Sequence, residues 1–396
     1  MTQARTAPVA PVRDHRIDFY RGIALAMIFV NHIPGVLYER FTSRNFGFSD
    51  SAELFVFLAG FASAYAYGRP FLAGNPLVAS IRALRRAGVL YLVHMALTMA
   101  TIGLFVWAAM AFGEGALINH LGLGHLLTRT LDTLLGLATL GHQFGYVNIL
   151  PMYMVLLVFL PALLLILRAF GARAMMAASV AFWIACGVWR LNMPNYPNPG
   201  GWFFNPFAWQ VIFAAGLYCG LMKMEGKAAI AYRPWVFAAA LAFLAYSLHV
   251  TVNALWHWQT SLPFHFLIKD IDKTFATLPR VLHLLALVYV FAYLPRFLPS
   301  LRVSRENPLA AMGRHSLPVF ALGTMLSLSA QVVRFVREPG FLLDTALVGG
   351  GLLLQVALAA YLDWWRVASR KPRSQPAERM AAGTPAMPLG QAPARR

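Results

Sequence analysis

The stretch VNILPMYMVLLVFLPALLLIL, residues 147–167, decides the fold class. It holds no charged side chain. At 1.5 Å per residue, a helix of that length crosses the roughly 30 Å of hydrocarbon in a bilayer. One such run could be the core helix of a soluble protein, but this chain carries about ten. Comparable blocks lie at 17–38, 51–68 and 84–112 before it, and at 174–190, 207–222, 234–252, 281–297, 311–333 and 341–365 after it. Composition agrees: 59% of the 396 residues are hydrophobic and 12% charged, against roughly 45–50% and 25% in soluble domains. The expected fold is all-α, a polytopic transmembrane bundle of about ten helices. Segment 116–142 is less apolar and contains His120, His125, Arg129, Asp132 and His142. It reads as a helix lying on the membrane surface.

The formal net charge is +18. In a soluble protein that would suggest nucleic acid. Here the basic residues sit between the apolar blocks and at the two ends, with no stripe interleaved with aromatics, so they read as a topology signal and nucleic acid is not expected. With the N-terminus placed in the cytoplasm, the cytoplasmic segments hold 23 Lys and Arg and the opposite side 9. Both termini are therefore expected inside. The first apolar run reaches Val36 and Leu37 with no small-residue cleavage site, so it reads as an uncleaved membrane helix. The chain divides into a cytoplasmic segment 1–16, a transmembrane domain 17–365 and a basic tail 366–396. The tail, rich in Pro, Ala, Gly, Gln and Arg, is expected to be disordered and to touch anionic lipid. Cys186 and Cys219 lie singly in apolar blocks, so neither a disulfide framework nor a metal site is indicated.

Ionisable residues are costly at membrane depth, which makes each one a functional candidate. The first helix carries Asp18, Arg21 and His32. Asp18 and Arg21, three apart, share a face. Arg21 and His32 are eleven apart, so they project from one face about 16 Å apart along the axis. Asn31 and Pro34 flank the histidine. The plain alternative is a snorkelling arginine and a hydrogen-bonded bundle histidine. Glu53, near the outer end of the second helix, lies at the depth of His32 and could orient its imidazole. Arg82 and Arg85, before the third helix, share a face and suit phosphate, which guanidinium binds with two parallel bonds. Their plain alternative is positive-inside anchoring. His315 could cap a helix or contact a carrier nucleotide, and capping is favoured. His249, His257 and His283 read as hydrogen-bonded bundle histidines.

Asp18-Phe-Tyr-Arg21-Gly22 followed by His32 resembles the Arg-x10-His signature of the acyltransferase family three membrane proteins, and Arg82-x-x-Arg85 resembles their second arginine motif. Within that superfamily the chain is most similar to the OpgC branch, which succinylates osmoregulated periplasmic glucans. That resemblance rests on Asp18-Phe-Tyr-Arg-Gly, Val30-Asn-His32-Ile-Pro34-Gly, Asp50-Ser-Ala-Glu53-Leu-Phe-Val-Phe-Leu-Ala-Gly, Asn148-Ile-Leu-Pro-Met-Tyr153 and Gly313-Arg-His315-Ser-Leu-Pro-Val-Phe320, and it spans residues 14 to about 365. Ala59 stands where serine is common in the wider superfamily, so no serine hydroxyl is given a role there.

The resemblance implies a multi-pass enzyme of the bacterial inner membrane. Its donor is an acyl-coenzyme A, succinyl-coenzyme A by the branch, and its acceptor a periplasmic glucan. Arg82, Arg85 and Arg21 would hold donor phosphates. His32 would act as base or acyl relay, with Glu53 holding its tautomer and Asp18 and Asn31 orienting the first helix. Two alternatives stay open: an acetyltransferase of another surface glycan, and a transporter of an anionic solute. A transporter would be expected to show internal repeats or paired broken helices.

Overall fold

The computed structural model describes residues 15–298 and 303–369, and among these the regular structure is helical, with one isolated bridge between Pro194 and Gly201. The expectations for residues 1–14 and for the tail beyond Ser369 lie outside the described residues. The long elements are α1 (His15–Asn31), α2 (Ser51–Ser63), α3 (Pro76–Phe112), α4 (Ile149–Val188), α5 (Pro206–Met224), α6 (Pro234–Val252), α7 (Leu278–Tyr293), α8 (Pro308–Arg314), α9 (Ser316–Val336) and α10 (Phe341–Ala368). Seven helices among the described residues are long and apolar enough to cross a membrane. The difference from ten has identifiable sources. α4 is interrupted at Gly171 (φ 86°, ψ 170°), where the sequence separates two blocks. α1 has 17 residues and α2 has 13, although α2 runs on through a π-turn at Ala64–Gly68 and a helical turn at Arg69–Leu72.

The segment expected as one surface helix is three short helices: Ala116–His120, His125–Thr128 and Thr130–Ala138. Gly122, at φ 80°, breaks the first from the second. α3 is longer than its apolar block. Its 37 residues span about 55 Å, well beyond the bilayer core.

Glycine lets key helices meet backbone to backbone. A Cβ at Gly216 of α5 would fall 1.9 Å from the Phe57 carbonyl oxygen of α2, and one at Gly60 of α2 would fall 2.0 Å from the Phe213 oxygen of α5. Small residues at such crossings are how membrane helices gain contact, since lipid supplies no hydrophobic drive between them. α1 and α8 meet in the same way through Gly22 and Gly313. Phe213 and Trp209 of α5 are wholly buried, which makes α5 the central strut behind α2. Leu92 and Met110 of α3 and Leu342 and Leu353 of α10 are exposed and apolar, as a lipid-facing surface requires.

Two ion pairs and an imidazole–carboxylate hydrogen bond hold helices together. Arg314 and His315, either side of the α8–α9 junction, both reach Asp363 of α10, the imidazole Nε2 at 2.9 Å. Arg334 of α9 pairs with Asp344 of α10. His315 occupies the N-cap position of α9, where capping was expected, but its side chain makes no capping hydrogen bond and goes to Asp363 instead.

Candidate active site

Asp50 begins the site. Its carboxylate caps α2 by accepting from the Ala52 N–H at 2.8 Å, and the Glu53 carboxylate turns back to accept from the Asp50 N–H at 2.9 Å. This is a capping box, which satisfies orphan donors at a helix start. The second oxygen of Asp50 receives Lys273 Nζ at 2.5 Å and Arg280 at 3.5 Å. Arg280 Nε also donates to Glu53 at 2.6 Å. Two carboxylates and two cations thus interlock the start of α2 with α7 and the loop before it. Burial opposes the charge of Asp50, but Lys273 and then Arg280 hold its carboxyl below the ordinary carboxylate range.

His32 follows the last residue of α1. Its carbonyl accepts from the Gln331 amide of α9 at 2.6 Å, and its ring meets Tyr146 edge-on, centroids 5.0 Å apart. Its Nδ1 is buried with no hydrogen-bond partner. Asn31, expected to orient the helix, accepts from the Thr42 hydroxyl at 2.6 Å and so ties α1 to the following loop. His283 of α7 accepts from the Ser49 N–H at 3.2 Å and fixes the approach to Asp50, a structural part of the kind expected for it.

These groups open into a cavity of about 870 Å³ whose walls include His32, Asp50, Lys273, Tyr146, Phe203 and Trp256. Phe203 and Trp256 are exposed at its rim. Arg44 also lines it and has no ion pair or hydrogen bond among the described residues. The end of α1 and the starts of α2, α4, α5 and α7 all gather at this end of the bundle, so the cavity lies on the side the charge count places outside.

The expectation that Glu53 steers the imidazole meets a different geometry. Glu53 is fully buried, and its two oxygens serve Arg280 and the Asp50 N–H. The carboxylates that share the cavity with His32 are Asp50 and Glu39. Lys273 and Asp50 both lie within electrostatic reach of the imidazole. Neither Lys273 nor Arg280 was singled out from the sequence.

Toward the other end, Arg21 donates to the Leu58 carbonyl of α2 at 3.0 Å, and Asp18, one turn earlier, is buried. Arg82 and Arg85 point away from the bundle, beside exposed Ile81 and Leu84. Arg86 instead shares the face of Ala79, Ala83 and Leu90, all buried. It has no ion pair or hydrogen bond among the described residues, and it lies within electrostatic reach of Tyr67 and Tyr153. Arg21 also reaches Tyr153. Tyr153 is five residues, about 8 Å of helix, from Asn148, which lines the outer cavity. The arginine level and the cavity are therefore near neighbours inside the bundle.

Comparison with known proteins follows this geometry. The family model described as OpgC protein matches residues 13–367. No curated protein and no solved structure matches. The chain belongs to the OpgC family. Family and helices together make it a multi-pass membrane protein of the glucan-modifying acyltransferase class.

Proposed function

We propose that this OpgC-family chain sits in the bacterial inner membrane with both termini in the cytoplasm, and moves a succinyl group from cytoplasmic succinyl-coenzyme A to a hydroxyl of a periplasmic glucan. The observation that carries the reading is the meeting of His32, Asp50 and Lys273 in an aromatic-rimmed cavity of about 870 Å³, on the same helix that bears Arg21. A cavity of that size suits a sugar, with exposed ring faces for its apolar side and polar groups for its hydroxyls.

The donor enters from the arginine level. Arg21 and the inward-facing Arg86 are placed for its phosphates, and an extended pantetheine arm covers the roughly 16 Å from Arg21 to His32. Arg82 and Arg85, turned outward, suit the anchoring role better. At the cavity, the acceptor O–H gives its proton to a ring nitrogen of His32 as the oxygen–acyl bond forms. The carbon–sulfur bond breaks, and the imidazolium returns the proton to the departing thiolate. The products are the ester and free coenzyme A. In the relay version a ring nitrogen of His32 attacks the thioester and the carbon–sulfur bond breaks to release the thiolate; the acceptor oxygen then takes the acyl group as the carbon–nitrogen bond breaks, and its proton passes to the thiolate. Lys273 faces the oxyanion in either case. Asp50 keeps Lys273 placed, and Arg44 offers its guanidinium to the free carboxylate of a dicarboxylic acyl group, which an acetyl group lacks.

Mass spectrometry of cell glucans with and without the protein tests the reading. A mass gain of succinate on the glucan is expected. A gain of acetate would overturn the acyl assignment, and no change in the glucan would overturn the acceptor.

A further inference from the structure

A second cavity, of about 720 Å³, adjoins the first on the same side. Asn148 and Phe203 line both, so the two lie side by side and together make one groove-like tract along this end of the bundle. The new half is built mainly by the loop between α4 and α5. That loop is rigid: Pro194 bridges to Gly201, the Asn195 N–H donates to the Gly200 carbonyl at 3.0 Å, and the Asn192 amide donates to the Trp202 carbonyl at 2.9 Å. A Cβ on Gly201 would strike the Asn192 amide at 2.3 Å, so the loop closes only with glycine there.

The chemistry of this half is amide-rich. Gln143, Asn148 and Asn195 line it, and the side chains of Asn148 and Asn195 have no hydrogen-bond partner among the described residues. Arg190, the one cation among the lining residues described, stacks over the Phe266 ring 3.2 Å from its centroid, which fixes its plane and leaves its N–H edge toward the cavity as a further donor. Phe203 presents an exposed ring where the two halves join. Side-chain amides carry donor and acceptor in one plane, matching paired hydroxyls, and a ring face matches the apolar face of a sugar. A purely apolar ligand would bury these amides without partners.

We infer that the groove is an extended carbohydrate site: the first cavity holds the sugar residue to be acylated, and the second holds its neighbours in the acceptor chain. The inference rests on the glucan acyltransfer reading above and adds where the neighbouring sugars of the glucan bind, in the cavity built by the loop between α4 and α5. Asn195 and the Phe203 ring are the chain-binding groups.

The test uses full-length purified protein with succinyl-coenzyme A and two acceptors, an oligomeric glucan and methyl β-glucoside. The wild type should prefer the oligomer through a lower KM. Asn195→Ala removes a side chain with no hydrogen bond among the described residues, so the loop is left intact. It should raise the oligomer KM by roughly two- to tenfold, the worth of one neutral hydrogen bond, and shrink the preference for the oligomer. Phe203→Leu should shrink it further. If the wild type uses both acceptors equally, or if both variants keep the full preference, the extended site is wrong while the transfer reading stands. If the wild type transfers to neither acceptor, both readings fall together.

Discussion

At the scale of the residue, the site is a network of charges rather than a chain of single roles. Arg280 is buried and serves two carboxylates at once. Removing one member of a buried ionic network costs about 3–5 kcal/mol, because the partners stay buried and uncompensated. Arg280→Met should therefore lower the melting temperature of detergent-purified protein sharply, and unchanged melting would show that the network does not tie α2 to α7. The turned-in carboxylate of Glu53 was legible in Asp50-Ser-Ala-Glu53 before an apolar run, which is the pattern of a capping box. Lys273 and Arg280 were not legible as its partners, since no local spacing links positions more than two hundred residues apart. The arginines before the third helix show the opposite case. The pair Arg82 and Arg85 stands out in the sequence by its spacing, yet the register of buried Ala79, Ala83 and Leu90 selects Arg86. Coenzyme A titrations should find Arg86→Gln weakened by roughly tenfold or more, the worth of a charge-assisted bond. Arg82→Gln and Arg85→Gln should lose less, and a reversed order would return the donor site to the outward pair.

At the scale of the element, hydrophobic blocks located the helices well because a membrane span must hide its backbone in a helix. Their starts and joins were less visible. α3 begins at Pro76 rather than at residue 84, because its first turns lie beyond the apolar block. The surface segment 116–142 breaks into short helices at Gly122 and at Arg129. The α2–α5 crossing depends on side chains that are not there. Gly216→Ala would push a methyl group to 1.9 Å from the Phe57 carbonyl oxygen, whereas Gly350→Ala would meet nothing within 4 Å. Thermal melting should show a clear loss for the first and little change for the second. Equal melting for both would contradict the close crossing.

At the scale of the whole molecule, the account needs one end of the bundle to meet the donor and the other the acceptor. The 23-to-9 division of Lys and Arg predicts which is which. In a background lacking Cys186 and Cys219, a cysteine at Gly115 should react with a membrane-impermeant reagent added from outside, and one at Lys227 should not. The reverse pattern would invert the bundle and put the cavity on the donor's side. What joins the two ends is α1, with Arg21 near one and His32 at the other. That both belong to one helix run was legible from the sequence; the cavity around His32 was not, because four separate loops build it. The most direct measurement is thioester release from succinyl-coenzyme A by purified His32→Ala in the presence of glucan. Turnover should fall by roughly 10²–10⁴-fold, with coenzyme A binding kept, since the phosphates lie about 16 Å along the helix from the substitution. Near-normal turnover in that variant would contradict the account and leave the cavity without a catalytic group.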